Sequence, residues 1–115
     1  MIASRCLGRQ PESRDIILDV IRRRLVDEFE PERIILFGSR ARGDHVTESD
    51  YDLVVIMPEG VDRRETTVAI RRRLADLPIA KDIVVTTAAD LERGSKIAGT
   101  IAEEASREGV DVYVR

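Results

Sequence analysis

The chain has no tryptophan, one cysteine, one histidine and two lysines, and aromatic residues make up only 3% of its 115 positions. A single cysteine excludes an internal disulfide and a cysteine-based zinc site, and Cys6, near the N-terminus, reads as a free thiol. So few aromatics leave aliphatic side chains to build the core. No apolar run approaches the roughly twenty residues that span a bilayer. Residues 1–10 lack the apolar segment of a signal peptide, so a reducing cytoplasm is the expected location. No sign of charge dominates either: the net charge is −3, which supplies no overall attraction to nucleic acid, and direct nucleic-acid binding is not expected. Repeats, low-complexity tracts and linkers are missing as well. The expected organisation is a flexible tail over residues 1–10 and one domain over 11–115.

What is present is a well-patterned globular sequence. Hydrophobic residues make up 43% and charged residues 36%, with both signs interspersed, which argues against disorder. From Pro11 to about Glu30, Ile16, Ile17, Val20, Ile21, Leu25 and Phe29 recur at helical spacing; Pro11 or Ser13 starts this helix and Pro31 stops it. Arg33 to Phe37 is a short β-branched run and reads as a buried strand. Gly38-Ser39 turns the chain into a helical turn around Arg40-Ala41-Arg42, ended by Gly43. Residues 44–49 read as loop, and Asp50 to Met57 as a second strand. A helix is expected from about Asp62 to Leu77, with Ile70, Leu74 and Leu77 as its buried stripe. Lys81 to Thr86 forms a third strand and Thr87 to Arg93 a short helix capped by Thr87. Residues 95–107 form a last helix capped by Ser95, with Ile97, Ile101 and Ala105 on one face, and Val110 to Val114 a terminal strand. The fold class is α/β: a small mixed sheet of about four strands with helices packed on it in two or three layers.

The chemistry gathers around the first two strands. Side chains two apart on a strand share a face, so Asp50 and Asp52 converge while Tyr51 and Leu53 point the other way. Two carboxylates at the mouth of an apolar strand repel each other and are partly desolvated, and a hard divalent cation, Mg²⁺ or Mn²⁺, is the natural compensation. Magnesium is held by one or two carboxylates together with substrate phosphates. Asp82 opens the third strand. If that strand lies beside the second, Asp82 completes a cluster able to serve two metals about 3.5–4 Å apart and to accept a proton from an attacking hydroxyl. Asp76 and Asp90 are rival third acids, but neither begins an apolar strand. Across the site, Gly38 allows close backbone approach to phosphate and Ser39 adds a hydroxyl. Arg40 and Arg42 are placed to neutralise a pyrophosphate leaving group. The runs Arg22-Arg23-Arg24 and Arg71-Arg72-Arg73 spread around their helices and read as solvated, ion-paired surface, with Asp19, Asp27, Glu28 and Asp76 in reach. His45 reads as an exposed loop residue, and Tyr51 as packing behind the acidic strand.

Taken together, Leu36-Phe37-Gly38-Ser39-Arg40-Ala41-Arg42-Gly43 and, ten residues beyond Ser39, Ser49-Asp50-Tyr51-Asp52-Leu53 resemble the DNA polymerase β-like nucleotidyltransferases. The likeness is greatest to their minimal nucleotidyltransferase branch, the partners of HEPN-domain proteins in prokaryotic toxin–antitoxin pairs. The closing stretch, Ile101 to Ala105 and Gly109 to Tyr113, also looks like that branch, and the resemblance covers nearly all of residues 11–115. It implies the polymerase β-like fold, Asp50 and Asp52 as metal ligands, Asp82 as third ligand and base, and Gly38 and Ser39 on the triphosphate. The implied activity is that of an antitoxin which transfers AMP from ATP to a tyrosine hydroxyl of a HEPN-type toxin. A chain this short is expected to lack the extra substrate-binding domain of larger members, so the acceptor is expected to come from a separate polypeptide or to dock in an open cleft. Two alternatives stand beside this: a non-catalytic binding subunit acting by occlusion, and an aminoglycoside-type small-molecule nucleotidyltransferase whose missing pocket wall another subunit supplies.

Overall fold

The computed structural model describes residues 16–43 and 50–115, with only the backbone described at Ser39 and Arg42. The expected tail over residues 1–10, the helix start at Pro11 or Ser13, and His45 lie outside the described residues.

Among the described residues nine elements follow in order: α1 (Ile16–Phe29), β1 (Arg33–Phe37), α2 (Ser39–Arg42), β2 (Tyr51–Met57), α3 (Arg63–Arg73), β3 (Lys81–Thr87), α4 (Ala88–Gly94), α5 (Ile101–Glu108) and β4 (Val110–Val114). The strands form one sheet in the order β3-β2-β1-β4. β1 is antiparallel to both β2 and β4, whereas β2 and β3 run parallel. The mixed sheet expected from the short connections is therefore present. The parallel pair is joined through α3, which is long enough to carry the chain back along the sheet.

Helices cover both faces, so the arrangement has three layers. On one face Ile21 and Leu25 of α1, Ile70 of α3 and Leu74 just past its end pack with Leu53 and Val55 of β2. On the other, Leu91 of α4 and Ala105 of α5 pack with Ile35, Phe37, Val54 and Ile56. β2 is thus sandwiched, which explains its nearly unbroken apolar sequence. Leu53 is completely buried at its centre, and Leu53→Ala is expected to lower stability by about 2–5 kcal/mol in urea unfolding.

Several boundaries differ from those read along the sequence. The last helix begins at Ile101 under a Thr100 cap whose hydroxyl accepts from the Glu103 N–H, not at Ser95, which instead ends α4. Gly99, at φ +86°, breaks any continuous helix between them. Ile97 consequently falls outside the helix whose face it was expected to share with Ile101 and Ala105 and is 59% exposed, and Ile101 is 44% exposed. Ile16, one of the apolar residues at helical spacing in α1, is 72% exposed. α3 ends at Arg73, but Ile70 and the capping Leu74 are fully buried as expected. Asp62 caps its start by accepting from the Glu65 N–H at 3.0 Å.

The arginine runs do part of their work between helices. Arg24 donates to Asp76 at 2.6 Å, and Arg73 pairs with Glu28, so that α1 is tied to the α3 end. The hydrogen bond from Arg24 holds the Asp76 carboxyl below the usual range. Asp90, the other rival acid, is held by Arg63 and Arg93. Both rivals are thus occupied in surface ion pairs.

Candidate active site

Parallel pairing of β2 and β3 places Asp52 directly beside Asp82, and the antiparallel pairing of β1 places Phe37 on the other side of Asp52. One row of the sheet therefore runs Phe37, Asp52, Asp82 at the end where β1 turns into α2. This is the juxtaposition that the sequence could only state conditionally. Asp50 stands one residue before β2 begins, so it is a loop-edge group and not part of the strand. Its charge nonetheless reaches Asp52.

Asp52 is the electrostatic centre. Its carboxyl is pushed above the usual range, first by burial and then by the negative charges of Asp82, Asp50 and Glu104. The carboxylates of Asp50, Asp52 and Asp82 have no ion-pair or hydrogen-bond partner among the described residues, in contrast to those of Asp76 and Asp90. A partly desolvated carboxylate with three like neighbours and no cation among the described residues gains by receiving one. Among the described residues no group of three such side chains is drawn close enough to form a ready-made metal cage. The donor set is nevertheless all oxygen, the kind that hard divalent cations take.

Sequence reasoning alone does not single out Glu104 as a site residue. It precedes Ala105, whose buried contact with Ile35, Phe37 and Val54 fixes α5 over this face of the sheet. A threonine at 100 followed by a glutamate at 103 is a capping-box pattern, and it is the available signal for where α5 begins. Which end of the sheet α5 would cover has no local signal.

The turn opposite the acids is built around Gly38. Its φ is +80°, in the left-handed region, and a Cβ placed there would overlap the Asp52 Oδ2 and lie 3.3 Å from Asp52 Cγ. Backbone and carboxylate are therefore in immediate contact, which only glycine permits. The Ala41 N–H donates to the Gly38 carbonyl at 3.1 Å and closes the turn. A cation held by Asp52 would sit next to the backbone of residue 38, where a phosphate oxygen could reach both. The arrangement fits a divalent cation with a polyphosphate. The Arg40 guanidinium lies 3.9 Å from the ring centroid of Tyr51. Tyr51 faces the α1–α3 side with Leu53 and Val55, away from Asp52. The side chains of Ser39 and Arg42, both expected at the phosphates, lie outside the described atoms. A shallow cleft beside Arg33, Ile56 and Leu91 lies at the far end of the sheet and contains none of the three acids.

Comparison with known proteins bears on the family and the fold. A protein-family model described as a nucleotidyltransferase domain matches residues 18–111. No match is found among curated proteins. Among solved structures, a Sulfolobus solfataricus protein provisionally described as a nucleotidyltransferase superposes with a TM-score of 0.62 at 19% identity, covering 87% of this chain and 79% of its own. A toxin–antitoxin complex with AMP-PNP gives a TM-score of 0.58 at 19% identity, covering 84% and 73%. A mutant MntA–HpeT toxin–antitoxin complex gives 0.59 at 20% identity, covering 85% and 72%. These structural likenesses carry the fold, and the family match extends over most of the chain; the protein belongs to the nucleotidyltransferase-domain family, a family of transferases built on the polymerase β-like fold.

Proposed function

We propose that this chain is a metal-dependent protein adenylyltransferase of the antitoxin type, moving AMP from ATP to a tyrosine hydroxyl on a HEPN-type toxin. The observation that carries the reading is the row Asp52–Asp82 with the Gly38 backbone against the Asp52 carboxylate. The likeness in fold to a toxin–antitoxin complex with AMP-PNP supports both the nucleotide and the kind of partner.

Asp50 and Asp52 would hold the metal, with Asp82 beside them. Bound there, Mg²⁺ or Mn²⁺ would offset charge on the triphosphate and make the acceptor hydroxyl more acidic. The Gly38 turn holds the phosphates by its backbone. The acceptor oxygen forms a bond to the α-phosphorus as the bond to the β-phosphate oxygen breaks. Pyrophosphate leaves, and the hydroxyl proton passes to Asp82. Asp82 is exposed on the edge strand, so a partner-borne hydroxyl can approach it.

The test is incubation of the purified chain with a candidate toxin, Mg²⁺ and α-labelled ATP, followed by mass spectrometry of the toxin. AMP on a tyrosine is expected, with none from Asp50→Asn or Asp82→Asn. No label under any divalent metal would overturn the reading. Relief of toxicity by the Asp50→Ala/Asp52→Ala variant, without labelling, would favour occlusion instead.

A further inference from the structure

The stacking of Arg40 on Tyr51 does not belong to the acid cluster, yet it bridges the two halves of the site. Arg40 lies two residues after Gly38, in the single-turn α2. Tyr51 is the residue between Asp50 and Asp52, 3% exposed and rooted among Leu53, Ile83 and their neighbours on the opposite face of β2. A buried tyrosine commonly does no more than fill its core site, and a leucine would fill much of the same space. Here, however, the ring also presents its face to a guanidinium at 3.9 Å, an attraction that an aliphatic side chain cannot replace.

The geometry points to a clamp: Arg40 stacked on Tyr51 sets where the Gly38 turn stands relative to Asp52, making Tyr51 a positioning residue for nucleotide binding. The inference rests on the nucleotidyltransferase reading above. One helical turn has little stability of its own, since nucleation is unfavourable and few bonds follow it. Gly38, which the close approach to Asp52 demands, adds a soft joint at the start of that turn. The turn therefore takes its position from tertiary anchors. Ala41 supplies one by packing against the α1–α3 core, and the Arg40–Tyr51 stack supplies another. Catalytic groups displaced by an ångström lose much of their effect, so an anchor this near both halves of the site matters to binding.

This role differs from direct contact with phosphate. With its guanidinium over a ring on the face away from the acids, Arg40 acts through the backbone it carries. Removing either partner of the clamp should then have the same consequence, and removing both should do no further harm. Affinity for ATP with Mg²⁺ is measured by calorimetry on the purified chain, and each variant's own melting temperature reports its folding. Tyr51→Leu and Arg40→Met are each expected to weaken binding about three- to tenfold, and the double variant no more than either alone. Tyr51→Phe, which keeps the ring, should restore most of the affinity.

A second measurement avoids any question of folding. Phenylalanines of increasing ring fluorination at position 51 keep the ring while removing the negative face that attracts the cation. Affinity should fall steadily along that series. A flat series, wild-type affinity in Tyr51→Leu, or losses that multiply in the double variant would each overturn the clamp while leaving the proposed function standing. A wild type that binds no nucleotide with any divalent metal would overturn both.

Discussion

Asp52→Asn is expected to abolish nucleotidyl transfer, by about a thousandfold or more, and to leave the protein at least as stable as before. The two effects have one cause. Burial and the charges of Asp82, Asp50 and Glu104 raise the Asp52 carboxyl above its ordinary range. An unfolded chain loses this proton near pH ~4. The folded chain holds it to higher pH and so binds more protons between the two values. Stability from this group therefore falls as pH rises through that window, and the full loss is present above the folded value. Asparagine carries no charge and escapes the loss. Melting temperatures of the two proteins in chelator should accordingly separate in favour of Asp52→Asn near neutral pH and converge as pH drops into the carboxylate range. Added Mg²⁺ should raise the melting temperature of the wild type and do much less for the variant. Transfer surviving in Asp52→Asn would remove Asp52 from the chemistry, and a variant less stable at neutral pH would contradict the electrostatic account.

Gly38→Ala is expected to be nearly as damaging, through the backbone instead of the charge. At φ +80° an alanine is strained, and its methyl group would overlap the Asp52 carboxylate. A stability loss of about 1–3 kcal/mol is expected from denaturant titration. Nucleotide affinity should fall about tenfold or more, because relief of the overlap must move either the turn or the carboxylate proposed to hold the metal. The two contributions can be separated. In an Asp52→Ala background the offending oxygens are gone, so Gly38→Ala should cost only the strain of the left-handed residue, about 1 kcal/mol. An undiminished penalty there would mean that contact with Asp52 is not what requires glycine.

Much of this site was legible one residue at a time. The Gly-Ser turn after a buried strand, the Asp-x-Asp at the mouth of the next and the aspartate opening the third are all local patterns, and local patterns follow from backbone periodicity and turn chemistry. Tyr51 behind the acids followed from strand alternation alone and is buried as expected. The misread helix start has an equally local cause. Ser95 and Thr100 are both good caps, and choosing between them required the left-handed Gly99 and the Thr100–Glu103 spacing to be weighed against an apparent Ile97–Ile101–Ala105 stripe. Spacing along a single helix was also too narrow a frame for the arginine runs: Arg24 of α1 finds Asp76 beyond the end of α3, a pairing that no one-helix pattern reveals.

Composition and pattern alone determined an aliphatic α/β domain, a mixed sheet, and carboxylates set at strand mouths beside a glycine turn. The tertiary structure decided that β3 lies parallel beside β2 with Asp82 in register with Asp52, that Glu104 comes within electrostatic reach, and that Arg40 stacks on Tyr51. The division has a physical reason. Which face a side chain takes depends on its own few neighbours in the chain, whereas which strand it meets depends on how the helices between them pack, and that is settled only when the whole core closes.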